Sequence, residues 1–92
     1  MVDAARPNPF ATRTSIRLTL DAAAAVDVGV YDLAGRRLAT LHAGPLAIGV
    51  HTFDWDGRPD DGGAVRSGVY FVRAGVVGHP ATTQKLVMVR GD

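Results

Sequence analysis

Between Gly49 and Phe71 the chain reads GVHTFDWDGRPDDGGAVRSGVYF, two strand-like runs around a loop made almost wholly of turn residues. This stretch holds the only Trp and three of the five Phe and Tyr residues, so any core has to form around it. On the first run His51, Phe53 and Trp55 fall two apart and share one face of an extended chain. On the second, Tyr70 and Val72 share a face, and Val69 and Phe71 take the other. Between them Asp56-Gly57-Arg58-Pro59-Asp60-Asp61-Gly62-Gly63 has what tight turns require. Gly permits positive φ, Pro fixes φ, and Asp bonds its own backbone two residues on. An aromatic strand, a rigid loop and a second aromatic strand predict the centre of a small β domain.

The flanking sequence completes it. Arg6-Pro7-Asn8-Pro9-Phe10 is held extended by its prolines and offers Phe10 as a core anchor. Thr14 to Leu20 alternates cleanly: Thr14, Ile16, Leu18 and Leu20 point one way, and Ser15, Arg17 and Thr19 the other. Asp21 to Ala25 includes four alanines, but so short a run cannot nucleate a helix, and a connection is expected. Val26 to Asp32 puts Val26, Val28 and Val30 in the core, with Asp27, Gly29 and Tyr31 outside. Leu33-Ala34-Gly35-Arg36 turns the chain, and Arg37 to Leu41 returns as a hairpin partner. His42 to Gly49 is expected to be a glycine-bounded loop crossing to the next strand. Gly75 to Pro80 reads as a turn and Ala81 to Val89 as the last strand. Its alternation fails where Leu86, Val87, Met88 and Val89 run together. That implies burial on both faces, or a face that meets something outside the domain. About seven strands at spacings of roughly 8–12 residues define an all-β antiparallel sandwich. Its expected core includes Ile16, Leu18, Val28, Val30, Phe53, Trp55, Tyr70 and Val72.

Ninety-two residues allow one domain, here residues 7–90, with tails at 1–6 and 91–92. Lys85 is the only lysine and every acid is Asp, the usage of a turn-rich chain rather than a helical one. A net charge of +1 gives no nucleic-acid footprint. The absence of Cys removes disulfides, zinc-thiolate sites and thiol catalysis. No apolar run approaches the ~20 residues of a membrane-spanning helix. The N-terminus lacks the basic start and apolar stretch of a signal peptide, so an export address would lie elsewhere.

Five short motifs follow one another at domain-scale spacing. They are Asn8-Pro9-Phe10, VGVYDLAGR from Val28 to Arg36, Gly49-Val50-His51 ahead of Trp55-Asp56-Gly57-Arg58, SGVYF from Ser67, and KLVMVR from Lys85 to Arg90. This succession, covering Pro7 to Arg90, resembles the immunoglobulin-like domain of the flagellar hook-cap protein family. It is equally similar to the C-terminal sorting domains of proteins exported by type IX secretion. The resemblance implies a seven-stranded immunoglobulin-like β-sandwich. In the sorting branch such a domain ends a large secreted protein, is recognised by the export machinery, and is often removed when cargo is attached to the cell surface. Carried over residue by residue, recognition falls on Asn8, Pro9 and Phe10. It also falls on the Tyr31-Asp32 to Gly35-Arg36 turn, and on Lys85, Leu86 and Val87 through Arg90. Pro59 departs from the pattern, which often has Asp after Trp-Asp-Gly-Arg, and so alters that turn. The chain ends two residues past Arg90, as a sorting domain would.

The remaining residues offer little chemistry. Trp55 and Phe53 could stack a sugar ring, but a lone Trp in a small sandwich belongs to the core. Asp54, Asp56, Asp60 and Asp61 are calcium candidates; their spacing fits no EF-hand loop and no Glu closes a site. His51, Asp54 and Ser67 form a triad on paper only. Lys85 lacks the buried acid that isopeptide chemistry needs. Arg17, Arg36 and Arg37 could gather on one face, but so small a cluster on a chain of net charge +1 is a solvated face. Arg90-Gly91-Asp92 spells an adhesion tripeptide without the tight loop that presents one.

The sequence therefore predicts a non-enzymatic, cofactor-free C-terminal module of a secreted or cell-surface protein. Its partners would be an export or attachment apparatus and the parent polypeptide upstream, without nucleic-acid binding or membrane insertion. Leu86 to Val89 and the Asp32–Arg36 turn are the expected contact strip. The alternatives are a hook-cap assembly domain and a carbohydrate-binding module.

Overall fold

Alternation along Thr14–Leu20 translates directly into packing: Ile16 and Leu18 lose all contact with water, while Arg17 stays exposed. The computed structural model describes residues 2–63 and 65–89. In chain order the strands are β1 (Val2–Arg6), β2 (Thr14–Leu20), β3 (Ala24–Tyr31), β4 (Arg37–Leu46), β5 (Gly49–Trp55), β6 (Gly68–Val76) and β7 (Thr82–Met88). They form two antiparallel sheets, ordered β1-β2-β5 and β4-β3-β6-β7. The described residues contain no helix, so none that could cross a membrane.

The sheets close on one shared core. Val26, Val28 and Val30 of β3, Tyr70, Val72 and Ala74 of β6, and Leu86 and Met88 of β7 face Ile16, Leu18, Leu20 and Trp55. Each fully buried Val, Leu or Ile contributes about 1.5–3 kcal/mol of transfer free energy. Trp55 sits at the centre of an aromatic row. Its ring lies 5.7 Å from Phe10 and 5.8 Å from Tyr70, edge-on to both. Both polar tips are satisfied locally: the indole N–H donates to the Arg58 carbonyl at 2.8 Å, and the Tyr70 hydroxyl to the Arg66 carbonyl at 2.6 Å. A buried ring whose polar tip finds such a partner loses little by leaving water.

Four expectations need correction. Residues 1–6 are not simply a tail, because Val2–Arg6 pairs with β2. The stretch from His42 is not a loop: β4 continues to Leu46, leaving Ala47 and Ile48 as the whole connection to β5. Two bulges in β4, which leave Leu38 and Leu41 out of step, break the period-two signal there. Likewise β6 runs on through Val76, shortening the turn that follows. Phe53, expected in the core, is only half-buried against it.

Candidate recognition surface

Motifs from opposite ends of the sequence meet along β7. The Asn8 side chain donates to the Lys85 carbonyl at 2.8 Å and accepts from the Val87 N–H at 2.9 Å, which satisfies both ends of its amide. Two residues on, the Phe10 N–H donates to the Val87 carbonyl, and the Val89 N–H donates to the Phe10 carbonyl, at 2.9 and 2.8 Å. Phe10 and Met88 thus form the parallel bridge that closes this edge. Thr14, fully buried, anchors the same segment through a 2.8 Å bond from its hydroxyl to the Pro7 carbonyl. The segment is not extended as its prolines suggested: residues 7–9 bend, with cis peptide bonds at Arg6-Pro7 and Asn8-Pro9, and Asn8 and Phe10 both reach the strand.

The Asp32–Arg36 turn is the second element. One carboxylate oxygen of Asp32 accepts the N–H groups of Ala34 and Arg36, both at 2.9 Å, and the other accepts Arg36 Nε at 3.0 Å. Backbone bonds from Gly35 N–H to the Asp32 carbonyl and from Asp32 N–H to the Arg36 carbonyl complete the loop. Gly35 takes φ 83°, a conformation that suits glycine. Because these donors favour the ionised form, the Arg36 N–H foremost, the Asp32 carboxyl is held below its ordinary pKa. The turn is pre-organised, and it holds Leu33 73% exposed at its tip.

Next to it, Arg37 lies across the outer face of β3. Its guanidinium donates to Asp27 at 2.7 Å and sits 5.3 Å from the centre of the Tyr31 ring. Gly29, between Asp27 and Tyr31 on that face, makes this possible, since a Cβ there would stand 2.3 Å from Arg37 Nη2. Strand register aligns Tyr31 with Phe71 and Phe71 with Lys85. The turn, the proline segment and the end of β7 therefore share one end of the four-stranded sheet.

Not every expected site residue is placed for contact. Leu86 is a correction: its side chain is wholly buried in the core, as is that of Met88, so neither can touch a partner. The apolar run at residues 86–89 leaves only Val87, half-buried, and Val89, 58% exposed, on the surface. Pro9, Gly35, Arg36 and Lys85 are exposed. Arg90, and the tripeptide it begins, lie outside the described residues. Arg17 lies on the other sheet from Arg37, so the three arginines do not gather.

The other candidates dissolve into local structure. Trp55 is 2% exposed and has no free face for a sugar. Asp56 and Asp61 accept the N–H two residues on, and Asp60 accepts the Thr40 N–H. Asp54 is held by Ser15 at 2.5 Å and faces Arg13 at 3.8 Å. Among the described residues no three acidic or His side chains are grouped to hold a metal. His51 bonds the Ala47 carbonyl at 2.7 Å and, one face of β5 away from Asp54, is not oriented by it.

Two antiparallel sheets, one of three strands and one of four, packed on a Trp-Tyr core, define an immunoglobulin-like β-sandwich. Residues 8–78 match the FlgD Ig-like domain, and the chain belongs to that family. It is 47% identical over 45 residues to the basal-body rod modification protein FlgD of Salmonella typhimurium and, to the same extent, to that of Salmonella typhi. That match covers 49% of this chain and 19% of each relative. Among solved structures, it resembles dimeric latent PorU from Porphyromonas gingivalis with a TM-score of 0.73 at 20% identity, over 98% of this chain and 9% of that one. It also resembles PorZ of that organism, described as an essential surface component of the type-IX secretion system. Here the TM-score is 0.67 at 25% identity, over 97% of this chain and 11% of that one.

Proposed function

We propose that the chain is a non-catalytic recognition module, read by a type IX-like export or attachment apparatus through one end of its folded surface. The observation that carries this reading is the gathering of three elements at that end: the Asn8–Phe10 segment, the rigid Asp32–Arg36 turn and the exit of β7. A pre-organised turn with an apolar tip loses little freedom on binding, which favours recognition of the folded shape. Asn8, Pro9, Asp32, Gly35, Arg36, Lys85 and Val87 form or brace this surface, and Leu33 and Val89 are its apolar contacts. The likeness to PorZ, a bacterial surface component of the type-IX secretion system, supports a place at the cell surface.

The test is a reporter carrying residues 1–92 at its C-terminus, expressed in a host with a type IX system. Surface delivery that is lost in Leu33→Asp, a change at an exposed position, supports the reading. Retention of the unmodified fusion in the periplasm refutes it. A second reading, an assembly domain of a flagellar hook-cap scaffold, is favoured by the 47% identity to FlgD. It predicts that this domain, exchanged into FlgD, restores motility to a strain lacking FlgD.

A further inference from the structure

The outer face of the four-stranded sheet gathers cations that lie far apart in sequence. Arg37 comes from β4, Arg73 from β6 and Lys85 from β7, and all three are exposed. The strand ladders bring them together. Gly29 is the partner of Arg73, and the Arg37 guanidinium lies over Gly29, so the two arginines are neighbours. Phe71, two positions before Arg73 on β6, is the partner of Lys85. Lys85 and Arg73 are therefore diagonal neighbours on one face, about 7–8 Å apart. The half-buried rings of Tyr31 and Phe71 fill the same row as Lys85.

Like charges set side by side on a sheet destabilise it unless an acid offsets them. Asp27 is the only acid in the strands of this sheet, and Arg37 holds it at 2.7 Å. In the adjoining turn Asp32 is taken by Arg36, and at the β4 border Asp60 accepts the Thr40 N–H. Among the described residues neither Arg73 nor Lys85 has a carboxylate within ion-pair distance. The face thus carries two uncompensated positive charges at a fixed separation, beside a third that is only locally balanced.

We propose that this face binds an extended acidic segment of a partner polypeptide, with carboxylates two positions apart set on Arg73 and Lys85. In an extended chain alternate side chains share a face and stand about 6.8 Å apart, which matches the diagonal spacing of the two cations. Arg37 adds to the positive field beside them. The proposal rests on the reading of this domain as a recognition module and gives that partner its chemistry. A second copy is a poorer match. Its sequence has aspartates two apart only at Asp54 and Asp56; the first is bonded to Ser15 and faces Arg13, and the second accepts the Arg58 N–H. Single-stranded nucleic acid stacks its bases on open rings. Here Tyr31 already carries Arg37, 5.3 Å from its centre, and Phe71 is half-buried.

The test is an NMR titration of the 92-residue chain at low salt with a synthetic threonine peptide of about nine residues, the span of one strand, carrying three Glu at alternate positions. Amide shifts should centre on Phe71, Arg73 and Lys85 and weaken as salt is added. A peptide of the same composition with its Glu three apart turns successive carboxylates to opposite faces, and should bind about three- to tenfold more weakly. The Arg73→Gln/Lys85→Gln variant, altered only at exposed positions, should weaken the alternating peptide by about the same factor, while Trp55 emission stays the same. Absence of shifts on this face overturns the proposal, as does equal binding of the two peptides. Tighter binding of a thymidine oligonucleotide at the same residues assigns the face to nucleic acid and also overturns it. So do shifts that grow with protein concentration alone, which assign it to a second copy. Because this readout needs no export, it fails or succeeds independently of the reporter assay.

Discussion

The indole of Trp55 and the ring of Tyr70 meet edge to face at 5.8 Å, with 65° between their planes. One comes from the end of β5 and the other from the start of β6, so this contact joins the two sheets at the loop that separates them in sequence. Trp55→Ala is expected to cost about 3–5 kcal/mol in urea unfolding, through the cavity it leaves. Tyr70→Phe keeps the ring and removes only the bond to Arg66, and is expected to cost about 1 kcal/mol. Unmodified Trp55 emission should be blue-shifted and resistant to aqueous quenchers; a red-shifted, quenchable signal would contradict the sandwich.

Asn8→Ala removes the two bonds that hold the proline segment to β7. A loss of about 1–2 kcal/mol is expected, with faster amide exchange at Val87. If Val87 remains as protected as before, the closure of that edge rests on Phe10 alone.

Acid should weaken the Asp32–Arg36 turn in a defined direction. Asp32 has a folded pKa below its ordinary 3.8. Its contribution is therefore complete above that ordinary value and is lost as pH falls through the lower folded one. Urea midpoints measured across that range should fall more steeply for the unmodified chain than for Asp32→Asn, which no longer titrates.

Gly29→Ala is expected to act through Arg37. The new Cβ would displace the guanidinium from Asp27 and Tyr31, an exposed arrangement worth about 0.2–1 kcal/mol. In an Arg37→Ala background the same substitution should instead stabilise by about 0.5–1 kcal/mol, the ordinary gain from Ala over Gly inside a strand. A double-mutant cycle checks the change of sign, and additive effects would refute it.

Where one face of a strand is buried and the other wet, the sequence announces the structure. Thr14–Leu20 and the valines of β3 needed only their period of two; Trp55 was expected inside from its size, and Tyr70 from sharing a strand face with Val72. Edge strands were harder to see. The continuation of β4 through Gly44 and Pro45 carries turn residues, which an edge tolerates because its outward groups need no ladder partner. Strand β1 is short and rich in Ala, and gains its form from β2 rather than from its own pattern. The run of apolar residues from Leu86 had a plain cause that periodicity could not express. Alternate side chains enter the core, while the backbone of Val87 and Val89 is taken up by Phe10, nearly eighty positions earlier.

The clasp between residues 8–10 and β7 also bears on when this domain can form during synthesis. Its first bonds require the last strand, so a chain emerging from the ribosome holds Phe10 without its seat until β7 has cleared the exit tunnel. Folding of this domain thus waits until β7 has emerged, and such long-range closure is slow. A newly made copy passes through an interval in which it is still threadable, and the finished shape arises only once the stretch from Asn8 to Val89 is available to it.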